Sequence, residues 1–383
     1  MKKIFYWSPH TSKVATVKNV INSAFSLKKF YKEKIDVSIL DVIGEWSIYK
    51  RLFDFYDIDI IKFSNFKLRK FYPITGFLKS RLAYFSVFFF KTIQLKKILK
   101  KEDPDFLIIH LITVAPLFLL IFFNFNTKFI LRISGLPKFN IVRKFLWKFV
   151  SNKIFLVTCP SEQTKKDLEK LNIFPKNKLK ILYDPIIRVD SITQQVKENS
   201  YSNFEEKKYL LNIGRLTKQK NQILLLNAFL EISKTNKDLL LYIVGGGENK
   251  KNLEKFIKLN NLQKNIFLLG HLDNIFPLLK KSLAVVSTSL WEDPGAVMIE
   301  ASYCDKNIIS SNCPNGPEEF LSFGKGGYLF KNNDKKDLIE KLSIFLNDTE
   351  KNKFDKKVLC KKKTKNYTLF NHYKTLNFLL NLD

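Results

Sequence analysis

Apolar and polar residues alternate along the first half of the chain in a way that predicts strands separated by helices. Five short apolar runs are typical of buried strands: KIFYWS, KIDVSIL, FLIIHL, KFILRIS and IFLVTCP. An amphipathic stretch after the first run predicts a helix over residues 14–29. Because strands joined by helical crossovers lie parallel, this half is predicted to be a doubly wound α/β domain.

A polar segment at residues 185–206 interrupts this pattern and is predicted to be a linker. Beyond it the alternation resumes, with strand-like runs YLLNIG, LLLYIVGGG, NIFLLG, LAVVSTS, NIISS and GYLF. Helices are predicted between these runs over residues 221–233, 252–259 and 296–303. We therefore predict two Rossmann-like domains with parallel sheets, residues 1–184 and 207–362, and an amphipathic C-terminal helix, residues 363–383, that packs back on the first domain.

One apolar segment admits two interpretations. Residues 106–125, FLIIHLITVAPLFLLIFFNF, carry no charge and are long enough to cross a bilayer. We favour a buried strand, FLIIHL, followed by a turn and a buried helix that begins near Pro116. Strands of a parallel sheet that is covered on both faces are apolar throughout, as this run is.

The chain carries a large excess of positive charge. It has 65 Lys and Arg against 36 Asp and Glu, a formal net charge of +29, which favours nucleotide phosphates, polyanions or an anionic membrane as partners. Nucleic acid is not expected, because the positive residues are spread along the chain without a known nucleic-acid-binding motif. Between residues 50 and 101, Lys and Arg interleave with aromatic residues; this stretch is either a solvated helix face or a surface that enters lipid headgroups.

The four cysteines do not indicate a metal site or a redox pair, because they show no CxxC spacing. The N-terminal sequence MKKIFYWSPH lacks the apolar core of a signal peptide. A cytoplasmic location is therefore expected.

Basic residues follow the first strand of the second half. Gly214 permits a tight turn, and Arg215 and Lys220 beyond it could contact the two phosphates of a diphosphate leaving group. Basic residues after strands are also common on ordinary surfaces, so this motif alone is not specific. The glycine run at residues 245–247 is not a dinucleotide fingerprint, since Lys250 stands where the third glycine is required, and it is predicted to be a strand-to-helix turn.

Two glutamates bracket the predicted start of a later helix. Glu292 lies in the loop WEDPG and Glu300 about one turn inside the helix. Free backbone N–H groups at that helix start, at residues 295–297, together with the positive end of the helix dipole, form an anion site. Carboxylates beside it would suit sugar or ribose hydroxyls. The alternative is that Glu292 caps the helix and Glu300 is only solvated.

The order of these motifs, through AVVSTSLWEDPGAVMIEA to SNCPNGPEEFLSFGKGGYLF, closely resembles the donor half of the family 4 retaining glycosyltransferases over residues 211–330. The resemblance implies the GT-B fold, with two Rossmann-like domains facing a cleft. It also implies transfer of a sugar from a nucleotide-sugar, with UDP-hexoses as the expected donors and no further cofactor. The segment SNCPNGPEEF is similar to bacterial surface-polysaccharide enzymes in particular.

The resemblance implies roles for individual residues. Arg215 and Lys220 would bind the donor diphosphate, Glu300 the ribose and Glu292 the transferred sugar. Glu319 matches another recurrent acidic position, whose alternative role is a structural contact. The implied donor-binding residues are Gly214, Arg215, Lys220, Gly295, Ala296, Val297, Glu300 and Glu319.

In the first half, FLIIHL resembles the family's strand that ends in an active-site histidine, which makes His110 the candidate. The family often has a second histidine two residues earlier, where this chain has Ile108. The family's glycine pair after the first strand is replaced by SPHTSKVATVKN, a loop with Ser8, His10, Thr11 and Thr16 that is expected to face the cleft. Arg132 is a further candidate contact of the acceptor.

The catalytic set implied is thus His110, Glu292, Arg215 and Lys220, in a metal-independent reaction that retains the anomeric configuration. Two Asp-x-Asp triplets, at residues 57–59 and 103–105, resemble metal motifs but are interpreted as incidental. The expected acceptor is a glycan or a lipid-linked glycan in cell-surface polysaccharide or lipopolysaccharide synthesis, reached at the inner face of the cytoplasmic membrane. The alternative is a non-catalytic protein of the same fold that binds a membrane surface or a polyanion.

Overall fold

The chain folds into two units, each built on one parallel sheet. The first unit contains Met1–Pro185 and Leu369–Asp383, and the second contains Ile186–Thr368. The computed structural model describes residues 1–10, 15–31, 34–63, 85, 87–133, 135, 137, 140–198 and 208–382. Thr11, part of the aromatic and basic stretch at 50–101, and the end of the predicted linker lie outside the described residues.

The first unit has a seven-stranded sheet in the order β3-β2-β1-β4-β5-β6-β7. Its strands are β1 Lys2–Trp7, β2 Ile35–Asp41, β3 Asp59–Lys62, β4 Phe106–Ile109, β5 Lys128–Arg132, β6 Leu156–Cys159 and β7 Leu179–Ile181. Its helices in chain order are α1 Ala15–Phe30, α2 Lys50–Tyr56, α3 Thr92–Glu102, α4 Val114–Phe122, α5 Ile141–Val150 and α6 Glu162–Lys170. A one-turn π-helix, Val87–Lys91, precedes α3.

Both faces of this sheet are buried. Alternate residues of β1 enter two different core clusters, with Phe5 and Trp7 on one side and Ile4 and Tyr6 on the other. This explains why the strands are apolar throughout. The apolar run at residues 106–125 forms β4 and α4 as predicted, and within the described residues we find no helix with the length and apolar character that spanning a membrane requires.

The second unit has a six-stranded sheet in the order β10-β9-β8-β11-β12-β13. Its strands are β8 Tyr209–Ile213, β9 Leu240–Val244, β10 Ile266–Gly270, β11 Ala284–Ser287, β12 Asn307–Asn312 and β13 Tyr328–Lys331. Its helices are α7 Val189–Lys197, α8 Gln222–Thr235, α9 Lys250–Leu259, α10 Phe276–Lys281, α11 Ala296–Tyr303, α12 Pro317–Phe320, α13 Lys335–Asn347 and α14 Glu350–Thr364. The three helices predicted from the sequence of this half are α8, α9 and α11.

Two elements differ from a simple succession of domains. The segment expected to be a linker contains α7, which packs on α10, buries Ile192 and receives a hydrogen bond from Asn274 Nδ2 to the Gln195 carbonyl at 2.8 Å. The final helix, α15 Leu369–Leu380, packs against α1 of the first unit. Tyr31 Oη on the α1 side donates to the Leu382 carbonyl at 2.7 Å, which fixes the end of the segment.

Candidate functional site

The order of strands in the sheet brings two separate loops together in the second unit. Strand β8 pairs with β9 on one side and with β11 on the other, so the sheet winds in opposite directions from this point. Open α/β sheets bind ligands at such a switch point, beyond the carboxyl ends of the strands. The loops after β8 and β11 are the ones that carry Lys220 and Glu292.

The glycine run shapes the first of these loops. Gly214 N–H donates to the Val244 carbonyl at 2.9 Å, and Leu216 N–H donates to the Gly246 carbonyl at 2.9 Å. A Cβ on Gly245, whose φ is +141°, would lie 1.9 Å from the Gly214 carbonyl oxygen. The run therefore lets two backbones approach closely, and the interpretation as a strand-to-helix turn is confirmed because β9 ends at Val244 and α9 begins at Lys250.

Lys220 and Glu292 form an ion pair between the two loops, 72 positions apart in sequence. Their side chains are only 19% and 10% exposed. Ser289 Oγ also donates to Glu292 Oε1 at 2.5 Å, so this carboxylate is held from two sides. Glu292 is thus not a helix cap, which was the alternative interpretation of this residue.

Gln219 joins the same two loops through backbone groups. Its Nε2 donates to the Trp291 carbonyl at 3.0 Å, and its own carbonyl accepts from Leu290 N–H at 2.8 Å. Sequence reasoning did not identify Gln219 or Ser289. The only available signal was their proximity in sequence to Lys220 and Glu292, respectively.

The start of α11 lies next to Glu292. Gly295 precedes the helix with φ +92° and no side-chain cap, and the Glu292 Cγ is 3.5 Å from the position of a Cβ on Gly295. The first N–H groups of a helix have no acceptor within the helix, so those of Ala296 and Val297 are available to an anion. Gly316 also lies against the backbone of Pro294, so closely that a Cβ added to Gly316 would be 2.4 Å from the Pro294 carbonyl oxygen.

The remaining predicted donor contacts are more peripheral. Arg215 is exposed, and its Nη2 donates to Gln219 Oε1 at 3.2 Å. Glu300 is partly exposed on α11, one turn beyond the helix start as predicted. Glu319 lies in the four-residue helix α12, where its backbone carbonyl accepts from Lys363 Nζ on α14. The structure therefore brings Gly214, Lys220, Glu292 and Gly295 together, with Arg215 on the same loop as Lys220.

His110 occupies the equivalent switch point in the first sheet. It directly follows β4, which pairs with β1, and its N–H donates to the Trp7 carbonyl at 2.9 Å. The side chain is 7% exposed, and neither ring nitrogen has a hydrogen-bond partner among the described residues. Burial, and then the charge of Arg132, hold the pKa of His110 well below its usual value, so the imidazole is neutral at pH 7.

Of the other polar residues expected at this edge of the first sheet, Arg132 and His10 have structural partners. Arg132 is buried, pairs with Asp184 and donates to the Leu182 carbonyl at 2.5 Å. His10 Nδ1 lies 3.1 Å from the Ser8 carbonyl, and the two residues are buried. Thr16 is the second residue of α1. Arg132 therefore anchors the segment after β7, although it also lines the pocket beside His110.

The Asp-x-Asp triplets have local explanations. Asp57 and Asp103 end α2 and α3 with φ of +54° and +37°, left-handed positions that favour Gly, Asn or Asp. Asp105 Oδ2 accepts from Lys3 N–H at 2.8 Å. Among the described residues, no three His, Cys, Asp or Glu side chains are grouped as metal ligands.

Residues 193–358 match the family model described as glycosyl transferases group 1. An uncharacterised glycosyltransferase of Methanocaldococcus jannaschii is 33% identical over 248 residues, which are 60% of this chain and 61% of that protein. The N-acetylgalactosamine-N,N'-diacetylbacillosaminyl-diphospho-undecaprenol 4-alpha-N-acetylgalactosaminyltransferase of Campylobacter jejuni is 29% identical over 210 residues, 55% of each chain. The chain thus matches less than two thirds of the length of either relative.

Solved structures show the same fold at lower sequence identity. The crystal structure of Anabaena HepE in complex with UDP aligns over 100% of both chains, with a TM-score of 0.74 and 15% identity. This likeness, with the two doubly wound sheets, shows that the chain has the GT-B fold.

Proposed function

We propose that this chain, whose residues 193–358 match the model of the group 1 glycosyltransferases, moves a hexose or N-acetylhexosamine from a nucleotide-sugar to a hydroxyl of a glycan or lipid-linked acceptor. The observation that carries the proposal is the site at the β8/β11 switch point. There a half-buried lysine, a carboxylate held by two partners and an uncapped helix start are neighbours. Such a set suits a phosphate group bonded to a sugar.

Stabilisation of the departing diphosphate is the main task of this site. Lys220 and Arg215 neutralise its charge, and the N–H groups of Gly295, Ala296 and Val297 bind its oxygens or those of the sugar. Fixed donors of this kind need little rearrangement as negative charge develops. In this proposal the diphosphate leaves without help from a metal ion.

The two glutamates hold the uncharged parts of the donor. Glu292 accepts hydrogen bonds from hydroxyls of the transferred sugar, while Glu300 holds the ribose and Glu319 supports the site from α12. The acceptor oxygen forms a bond to the anomeric carbon on the face from which the diphosphate leaves, so the configuration is retained. The acceptor proton passes to the departing phosphate oxygen, which balances the reaction.

His110 serves the acceptor side of the reaction in this proposal. A neutral imidazole has one N–H donor and one acceptor nitrogen, and both are unpartnered among the described residues. It can orient a hydroxyl without adding positive charge beside the reacting carbon. Its low pKa supports this role over that of a permanently charged group.

The comparisons support the choice of donor and acceptor class. HepE was crystallised with UDP, and the name of the Campylobacter jejuni relative specifies a diphospho-undecaprenol-linked acceptor. We therefore propose a UDP-sugar donor and an acceptor in cell-surface polysaccharide or lipopolysaccharide synthesis. A lipid-linked acceptor would be reached at a membrane surface, which in this proposal is the inner face of the cytoplasmic membrane.

The first unit has a surface suited to that location. Helix α5 exposes Ile141, Val142, Phe145 and Phe149 together with Lys144 and Lys148. The π-helix and its neighbours add exposed Phe85, Phe89, Phe90 and Ile93. Aromatic side chains beside lysines are typical of helices that lie in an anionic membrane interface.

Thermal unfolding of the purified protein with UDP, GDP, ADP, CMP and the corresponding nucleotide-sugars tests the proposal. We expect a nucleotide-selective rise in Tm that survives EDTA and is reduced in Glu300→Ala. A matched control is Glu318→Ala, which changes an exposed carboxylate near the site. The absence of any rise would refute a donor site and favour a non-catalytic membrane-binding protein.

A further inference from the structure

Trp291 lies in the loop that carries Glu292, and its side chain is open to solvent. The chain has four tryptophans, and the structure describes all of them. Trp7, Trp46 and Trp147 are buried, whereas Trp291 is 50% exposed. A half-exposed indole offers a large apolar face to a ligand that arrives from solvent.

The backbone that carries this indole is held by its neighbours. Leu290 N–H donates to the Gln219 carbonyl at 2.8 Å, and Gln219 Nε2 donates to the Trp291 carbonyl at 3.0 Å. Asn332 Nδ2, in the loop after β13, donates to the Leu290 carbonyl at 3.1 Å. The residue after Trp291 donates from its N–H to the Pro314 carbonyl at 3.2 Å, in the loop after β12. The attachment point of the indole is thus fixed before a ligand binds, so less conformational freedom is lost on binding.

A sugar ring presents two kinds of surface to a protein. Its hydroxyls donate hydrogen bonds, for which a carboxylate is a strong acceptor, and its C–H groups form an apolar patch that packs on an aromatic face. Glu292, whose side chain is 10% exposed beside Lys220, offers the first kind of contact. Trp291, the preceding residue, offers the second. One fixed loop therefore contains both contacts that a pyranose ring needs.

We propose that Trp291 packs on the C–H face of the transferred sugar and so helps to select the nucleotide-sugar. The inference rests on the proposed function, in which Glu292 accepts hydrogen bonds from hydroxyls of that sugar. A substituent that points from this face toward the indole prevents the contact, so the residue discriminates between sugars that differ at a single carbon. The ribose is held further along the chain, by Glu300 on α11. Trp291 should therefore affect the affinity for the sugar and not that for the nucleotide.

Isothermal titration of the full-length protein with UDP, UDP-glucose, UDP-galactose, UDP-GlcNAc and UDP-GalNAc tests this role without turnover. Trp291→Ala is expected to weaken binding of the preferred UDP-sugar roughly tenfold or more, and that of UDP by less than about twofold. Trp291→Phe keeps a smaller aromatic face and should lose roughly two- to fourfold. The control is Phe354→Ala on α14, which removes another exposed aromatic side chain of the second unit and should change neither affinity.

Tryptophan fluorescence provides a second measurement on the wild-type protein. Acrylamide quenches exposed tryptophans far more than buried ones, so Trp291 should supply most of the quenching, and Trp291→Phe should lack it. The preferred UDP-sugar should protect the indole from acrylamide, whereas saturating UDP should not. Equal protection by UDP and the UDP-sugar would show that the indole covers the nucleotide, which overturns the assignment.

The two titrations also separate this inference from the proposed function. If Trp291→Ala weakens UDP and the UDP-sugar equally, or weakens neither, Trp291 does not contact the sugar, and the inference fails while the donor site stands. If the wild type binds none of the five nucleotides, the proposed UDP donor fails and the sugar contact fails with it. Retained Tm and circular dichroism in both Trp291 variants would establish that weaker binding is not caused by unfolding.

Discussion

Lys220 and Glu292 neutralise each other in the second unit, so an incoming diphosphate must compete with a carboxylate for the same ammonium group. Lys220→Met should therefore weaken UDP binding by roughly ten- to a hundredfold, the effect of losing a charged hydrogen bond of about 1.5–3 kcal/mol. Glu292→Gln keeps the shape of the side chain and removes the negative charge that competes with the diphosphate for Lys220. It should leave UDP affinity unchanged or higher while sugar transfer falls.

Isothermal titration with UDP and initial rates of transfer distinguish these two effects. Glu318→Gln, an exposed carboxylate on α12, serves as the control. If both Lys220→Met and Glu292→Gln weaken UDP binding to the same extent, the pair is a structural brace rather than a part of the donor site.

The close approach of Gly245 to Gly214 makes a second prediction. In Gly245→Ala the new Cβ would meet the Gly214 carbonyl at 1.9 Å, and φ of +141° is unfavourable for any residue with a side chain. We expect a cost of about 1–3 kcal/mol, a fall in Tm of several degrees and weaker UDP binding. Differential scanning calorimetry measures the change.

Gly246→Ala is the matched control, because a Cβ at this neighbouring glycine would meet nothing within 4 Å. Its stability should stay within about 0.5 kcal/mol of the wild type. Equal losses in the two variants would mean that the run matters for flexibility and not for the contact with Gly214.

Because the first unit contains two buried histidines, the folded protein should lose stability at acidic pH. Burial lowers the pKa of His372 to about 3 and that of His110 well below its usual value. Below pH 6.5 the unfolded chain takes up protons at these sites while the folded chain does not. Stability is therefore fully present above pH 6.5 and falls as the pH is lowered, by about 1.4 kcal/mol per pH unit for each histidine until its folded-state pKa is reached, which for His372 is about 3.

His372→Gln should reduce the change in unfolding free energy per pH unit by the contribution of one histidine. Urea unfolding at pH 7.5, 6.0 and 5.0 provides the comparison, and carboxylates common to both proteins cancel in the difference. At pH 7.5 the variant should be less stable, since His372 Nδ1 donates to the Tyr183 carbonyl at 2.7 Å and Nε2 accepts from Ser23 at 2.8 Å. Identical slopes would show that His372 is protonated in the folded protein.

The exposed face of α5 predicts binding to anionic vesicles. The double variant Phe145→Ser, Phe149→Ser lacks two aromatic side chains, each of which stabilises binding by about 1.5–3 kcal/mol when it is buried in the membrane. Its affinity for phosphatidylglycerol vesicles, measured by sedimentation, should therefore fall by roughly tenfold or more. Raised salt should also weaken binding, because lysines on the same face contact the headgroups.

Phe378→Ser controls for the loss of an exposed aromatic residue, since Phe378 is 81% exposed on α15. Equal binding of the wild type to phosphatidylcholine and phosphatidylglycerol would show that the charges on α5 have no part. Unchanged binding of the double variant would move the membrane surface to another part of the chain.

Most of the fold followed from periodicity, because buried parallel strands are apolar throughout and their helices are amphipathic. The polar composition of residues 185–206 concealed α7, whose small buried side is provided by Ile192. The partners of Glu292 could not be predicted, since Lys220 is 72 positions away and Ser289 resembles any serine in a loop. The exposure of Phe145 and Phe149 could also not be predicted from the sequence, because apolar residues in a helix are usually buried.

The first unit is discontinuous, because α15 returns to pack on α1. In the contact between them, Tyr6 donates to Ser23, which in turn donates to His372 of α15. A ribosome makes every residue of the second unit before it makes these last turns. The first unit therefore spends the whole of that interval with the α15-binding side of α1 uncovered, and its folding ends after the second unit has been synthesised. A product that stops before α15 would leave Ser23, Phe30 and Tyr31 without their contacts to His372, Phe370 and Leu382, which exposes this side of the first unit to chaperones and proteases.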